Sequence, residues 1–202
     1  MTLSPGDRLC IVGAGLAGVG IAYRLRDEPV DLTILEKSRG VGGRAATRRK
    51  KGCRYDHGAN YVKDSDDRTT DFLKQLGDDG LVDISEPVWT FDADGEIAPG
   101  DRQETHKWTW KKGITQFAKR LLAETDADLQ KTTRVDALSR DDGVWTLTDT
   151  EGHNHGPFDA VVLTPPAPQT AELLATTTID GGTPAPLSAV TEAVDDVPFR
   201  TI

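Results

Sequence analysis

The strongest constraint in this chain is a spacing. Gly13, Gly15 and Gly18 fall as G-x-G-x-x-G directly after the apolar run RLCIV, residues 8–12. A short apolar run bounded by turn formers predicts a buried strand. Leu16, Val19, Ile21, Ala22 and Leu25 then recur at helical spacing as far as Asp27. Glu28-Pro29 ends that helix, because the residue before proline disfavours helical backbone and proline lacks an N–H. Asp31–Glu36, DLTILE, predicts a second strand. Strand, glycine turn, helix and strand within about 30 residues make a βαβ unit, whose two strands run parallel.

Each glycine in such a turn has a separate task. Gly13 permits the tight turn, Gly15 lets backbone approach a pyrophosphate, and Gly18 lets helix pack close on strand. Ala14, Leu16 and Ala17 complete a loop whose amides, with the partial positive charge of the helix start, suit phosphate. Glu36 closes the second strand, 21 residues beyond Gly15. A carboxylate there accepts hydrogen bonds from ribose hydroxyls and disfavours a 2′-phosphate by charge repulsion. These residues predict a Rossmann-like α/β unit that binds an adenine dinucleotide.

Directly after it comes Glu36-Lys37-Ser38-Arg39-Gly40-Val41-Gly42-Gly43-Arg44. Gly42 and Gly43 supply backbone without side chains, which allows close approach to a planar ring or a phosphate. Arg44 brings a planar, permanently charged fork suited to a pyrophosphate, and Arg39 is a second candidate for that task. From Lys37 to Arg54 the chain carries eight cations and no anion. Residues 1–60 hold 11 basic and 6 acidic side chains (+5), residues 61–202 hold 13 and 27 (−14), and together they give the net charge of −9. One basic stripe in an acidic protein suggests a local anionic ligand. For Arg48–Lys51 a solvated surface is the favoured reading.

The strings IVGAGLAGVGIAYRL and ILEKSRGVGGRAATRR resemble the FAD-binding amino terminus of the flavin amine oxidase superfamily. The run Tyr55-Asp56-His57-Gly58-Ala59-Asn60-Tyr61 is similar to that of its renalase-like branch, with Asn60 where those proteins carry Gln. The resemblance implies an FAD-dependent oxidoreductase of fold class α/β, its mostly parallel Rossmann-like domain interleaved with an incomplete α+β substrate domain. The implied segments are 1–61 and 113–168 for the FAD-binding domain, and 62–112 and 169–202 for the substrate domain. It implies further that His57, Gly58, Ala59 and Asn60 lie near the flavin, although a histidine hydrogen-bonded to backbone is the plainer reading of His57. Lys37 joins the cofactor-binding candidates, and Val135 does so by analogy with relatives that contact adenine through valine backbone. Renalase-like enzymes oxidise aberrant reduced nicotinamide dinucleotides and pass the electrons to oxygen. An amine oxidase, a carotenoid desaturase-like enzyme and a non-catalytic dinucleotide-binding fragment are the alternatives. No catalytic residue is identified.

Composition narrows the partners. An excess of 33 acidic over 24 basic residues argues against general nucleic-acid binding, and no apolar run reaches the roughly 18 residues of a membrane span. MTLSPGDRLC lacks the cationic start and apolar stretch of a secretion signal, so a cytoplasmic protein with a small-molecule substrate is expected. Cys10 and Cys53 lack metal-ligand spacing, and His153-Asn154-His155 sits in a polar turn, so no metal is expected. Trp89, Trp108 and Trp110 either line a flat substrate cavity or pack a core. Family members are longer, so the chain is expected to lack the carboxyl-terminal closure of the fold. A complementary carboxyl-terminal chain would complete it, and the 202 residues by themselves are expected to show weak or absent oxidase activity.

Further along, helices are predicted at 71–76 and 115–124, and a hairpin at 86–98, with strands at 87–91 and 96–98, around Asp92–Gly95. Residues 129–138 are expected to be extended and to turn at 141–143 into a strand at 144–148. Residues 158–164, FDAVVLT, read as one central parallel strand stopped by Pro165-Pro166. Residues 37–54 show no periodicity, and 176–186 read as a loop.

Overall fold

The protein is described from a computed structural model covering residues 3–64, 68–84, 89–100, 105–180 and 185–198. In chain order the elements begin with β1 (Arg8–Val12), α1 (Leu16–Arg24), β2 (Asp31–Glu36), β3 (Thr47–Lys50), β4 (Cys53–Asp56) and β5 (Val62–Lys63). Next come α2 (Arg68–Gln75), β6 (Leu81–Asp83), β7 (Trp89–Phe91), β8 (Ile97–Pro99), β9 (Lys107–Trp110) and α3 (Thr115–Ala123). The series closes with β10 (Asp128–Lys131), β11 (Val135–Asp141), β12 (Val144–Asp149), β13 (Asn154–Phe158), β14 (Ala160–Leu163), α4 (Ala167–Ala175), β15 (Thr178–Ile179) and α5 (Ala185–Asp195). Two units divide the chain: residues 1–43 with 121–202, and residues 44–120.

The first unit is a Rossmann-like α/β fold. Its main sheet is wholly parallel, in the order β10-β2-β1-β14. Strand β1 is buried almost throughout, and its period-2 alternation divides its side chains between two faces. On one face, Cys10 and Val12 join Leu35, Val135, Leu138, Leu147, Phe158 and Leu173 in a core shared with a second sheet, β13-β12-β11-β15. Burial drives the Cys10 thiol pKa up to about 12, so this cysteine is a packing residue rather than a nucleophile. Helix α1 buries Gly18, Val19 and Ala22.

Two expectations about strands are corrected here. The run 158–164 is not one central strand. Phe158 ends β13 in the second sheet, while β14 lies at the edge of the parallel sheet among the described residues. The corner between them is Asp159. It accepts from the Arg8 backbone N–H at 2.8 Å and from its guanidinium at 3.1 and 3.2 Å, while its own N–H donates to the Arg8 carbonyl at 2.8 Å. These bonds hold the Asp159 carboxyl below its ordinary range and raise the Arg8 pKa. Residues 129–138 likewise split into β10 and β11. Thr132 takes φ +60°, and the N–H groups of Thr132 and Thr133 leave the strand path for the carbonyls of Ser38 and Glu36, at 3.2 and 2.9 Å. Helices α4 and α5 were not foreseen from the spacing, and 176–186 contains β15, paired parallel to β11.

In the second unit, β5, β9 and β6 form an antiparallel sheet. Trp110 is buried and stacks on Phe117 with centroids 5.8 Å apart, which assigns it to a core. Trp108 donates to Thr70 Oγ1 at 2.6 Å, and Trp89 is exposed on the β7–β8 hairpin. Residues 86–88 of the expected hairpin lie outside the described residues. The segment that showed no periodicity contains the β3–β4 hairpin, closed by Lys51 and Gly52 at φ +50° and +79°. Two central residues with positive φ are the geometry that twisted hairpins favour.

Candidate dinucleotide-binding site

The glycine turn joins β1 to α1 at the carboxyl end of the parallel sheet. Gly13 adopts φ +101°, a conformation L side chains resist, and its N–H donates to the Leu35 carbonyl at 2.8 Å. A Cβ at Gly18 would overlap the Gly13 carbonyl oxygen and press on Ile11 Cγ2. That contact makes glycine obligatory where helix crosses strand. Gly15 is the N-cap of α1, no side chain caps the helix, and its first turn carries no acid. Its amides and dipole are therefore left for an anion.

A second segment comes up against this turn. Gly42 donates to the Ala14 carbonyl at 2.8 Å, and Gly15 and Gly42 form a parallel bridge. A Cβ at Gly43, whose φ is +55°, would stand 3.1 Å from Gly15 Cα. At Gly15 itself the nearest atom to an added Cβ is that of Gly43, 4.0 Å away, so the loop is open where a pyrophosphate would approach. Glu36 is only 7% exposed. Its Oε2 accepts from the Ala14 N–H and its Oε1 from the Ser38 N–H, both at 2.7 Å. Each carboxylate oxygen keeps lone-pair capacity for a ribose hydroxyl. A helix start free of acids, an open glycine and a buried carboxylate at the neighbouring strand end fit an adenine dinucleotide.

The other predicted residues distribute as follows. Leu16 and Ala17 form the first turn of α1. Lys37 and Arg39 are exposed, and Lys37 Nζ donates to Gln169 Oε1 at 2.8 Å. Val135 is buried at the start of β11, packed with Val12 and Leu35. Arg44 and His57–Asn60 belong to the second unit. There the His57 N–H donates to the Ala46 carbonyl at 3.3 Å and the Ala59 N–H to the Arg44 carbonyl at 3.0 Å. A Cβ at Gly58 would overlap the Arg44 carbonyl oxygen, so this string holds the Arg44 peptide by close backbone approach. Asp56 accepts from Thr47 Oγ1 at 2.5 Å and from the Ile114 N–H at 3.2 Å, next to the start of α3. His153 and His155 converge on Asp149, with His155 Nε2 2.9 Å and His153 Nδ1 3.4 Å from Oδ2. Spacing did not single out Thr164, whose hydroxyl lies 2.8 Å from the Val12 carbonyl and 3.2 Å from that of Gly13. The one available signal was a hydroxyl residue ending an apolar strand before two prolines.

Fold and loop together define a dinucleotide-binding α/β protein. Residues 11–76 match the NAD(P)-binding Rossmann-like domain, and residues 86–202, more than half of the chain, match the flavin containing amine oxidoreductase family. The chain belongs to that family, and FAD is the family's cofactor. It is 28% identical to mouse renalase over 177 residues, which are 83% of this chain and 49% of renalase. It is 32% identical to protoporphyrinogen oxidase 2 of Arabidopsis thaliana over 72 residues, 36% of this chain and 14% of that protein. The CLA-producing fatty acid isomerase of P. acnes shares the fold at TM-score 0.71 and 16% identity, over 95% of this chain and 64% of that one. The chain thus spans about half the length of the renalase it matches, and less of the oxidase.

Proposed function

We propose that this chain is the FAD-holding part of an oxidoreductase acting on a small reduced organic molecule, with a dihydronicotinamide compound as the substrate of first choice. Oxygen or another acceptor takes up the electrons. The observation that carries this reading is the convergence of Ala14, Gly15, Gly42 and Gly43 with the buried Glu36 carboxylate at one strand end. The amides of the α1 start bind the pyrophosphate, and Gly42-Gly43 let it lie against backbone. Glu36 grips the adenosine ribose and turns away a 2′-phosphate. Bound FAD supplies the two-electron chemistry, while the protein binds, orients and shields it. The likeness to renalase over most of this chain favours a reduced dinucleotide over an amine. No described helix is long and apolar enough to cross a membrane, and we place the protein in the cytoplasm.

The test is anaerobic mixing of the FAD-loaded protein with reduced dihydronicotinamides and, separately, with primary and secondary amines. Slow loss of the flavin's visible absorbance with a dihydronicotinamide, reversed by air, is the expected result, in keeping with the weak activity expected of these 202 residues. Bleaching by amines alone, or by neither class, overturns the substrate assignment.

A further inference from the structure

In the parallel sheet the strand order reverses between β1 and β14, and open sheets of this kind take ligands in the crevice at such a point. One wall of that crevice is the Gly13–Gly18 turn. The other begins at Thr164, the first residue beyond β14. Its N–H donates to the Val12 carbonyl at 3.1 Å. Its hydroxyl has one proton and faces two successive carbonyl oxygens, Val12 at 2.8 Å and Gly13 at 3.2 Å. A Cβ built at Gly13 would stand 2.7 Å from this hydroxyl, too close for any side chain, so the threonine can occupy this place only against glycine.

The consequence lies in the peptide between Gly13 and Ala14. A trans peptide is a rigid plane, with its C=O and its N–H on opposite edges. The Thr164 hydroxyl reaches the oxygen edge at 3.2 Å, as the longer arm of a hydrogen bond it shares with the Val12 carbonyl. The Glu36 carboxylate holds the other edge, through the Ala14 N–H at 2.7 Å. Rotation of that plane would disturb both contacts at once. The Ala14 carbonyl belongs to the following peptide, where it receives the Gly42 N–H at 2.8 Å.

Thr164 is itself held from both sides. It precedes Pro165, which confines it to extended backbone, and Pro166 follows. The hydroxyl of Thr170 donates to the Pro165 carbonyl at 2.9 Å, and the Thr170 N–H donates to the Pro166 carbonyl at 3.0 Å. A hydroxyl on so constrained a segment is preorganised to fix what it touches.

We propose that Thr164 is a positioning residue of the dinucleotide site. Acting through the Gly13–Ala14 peptide, it sets both the aim of the turn amides and the placement of the Glu36 carboxylate. This role rests on the FAD reading above, and two variants with two readouts keep them separable. T164V keeps the volume and removes the hydroxyl; T164S keeps the hydroxyl. The first readout is amide hydrogen exchange at Ala14 in the ligand-free chain, and the second is the Kd for FAD. T164V is expected to speed exchange at the Ala14 amide and to raise the FAD Kd by about threefold to tenfold, as loss of one hydrogen bond implies. T164S is expected to stay within about twofold of wild type on both readouts. Unchanged exchange in T164V overturns the grip on the peptide. Faster exchange with an unchanged Kd overturns the positioning role and leaves only a brace for the strand end. Failure of the wild-type chain to bind FAD overturns the cofactor reading, and the positioning role with it.

Discussion

Helix α1 carries two glycines with opposite expected responses to one substitution. Alanine is the better helix former by about 1 kcal/mol. At Gly20 an added Cβ meets nothing within 4 Å, so Gly20→Ala is expected to stabilise the chain by about 0.5–1 kcal/mol in urea unfolding. At Gly18 the same atom would overlap the Gly13 carbonyl, so Gly18→Ala is expected to destabilise by about 1–3 kcal/mol. Equal effects of the two substitutions would contradict the close helix–strand crossing. Propensity is a local quantity, and here one carbonyl five residues back outweighs it. The glycine pattern was legible in the sequence because a local turn dictates it. Thr164 was not, because it meets Gly13 across 151 residues of chain.

Among the elements, those with a clear period and local boundaries were legible: β1, α1, β2 and α3 lie within a few residues of where spacing placed them. Errors came where long-range polar contacts cut an apolar run. Asp159 divides β13 from β14 through Arg8, and Thr132-Thr133 divide β10 from β11 through Ser38 and Glu36. The β12–β13 turn is also organised by a carboxylate. Asp149 accepts from the His155 ring at 2.9 Å and from the N–H groups of Glu151 and His153, each at 2.9 Å. The His155 hydrogen bond, opposed by burial and supported by the two backbone donors, holds the Asp149 carboxyl far below its ordinary range. A carboxylate whose folded pKa is depressed contributes stability above its unfolded pKa and loses it as pH falls toward the folded value. The melting temperature should therefore fall as pH drops below about 4, with Asp83 and Asp159 contributing in the same direction. Asp149→Asn should lower stability near neutral pH and flatten that acid slope. A slope identical to wild type in D149N would remove Asp149 from this role.

Across the molecule, charge and site agree in sign. A chain of net charge −9 concentrates eight cations and no anion between Lys37 and Arg54, in the segment that contains Gly42-Gly43. Within the first unit, Gly42 and Gly43 of that stripe meet Ala14 and Gly15; within the second, Arg48–Lys51 are exposed in the β3–β4 hairpin. Composition thus indicated an anionic ligand without saying which cations serve it, because net charge carries no address. The most direct measurement is an equilibrium titration of the purified chain with FAD, run in parallel on Glu36→Gln. Gln retains the shape of Glu but replaces one accepting oxygen with a donor that faces the Ala14 or Ser38 N–H. The expected result is saturable one-to-one binding by wild type, competed by ADP, and a Kd raised about tenfold or more in E36Q. Absence of binding by wild type, or equal affinity in the two proteins, would contradict a dinucleotide cradle closed by this carboxylate.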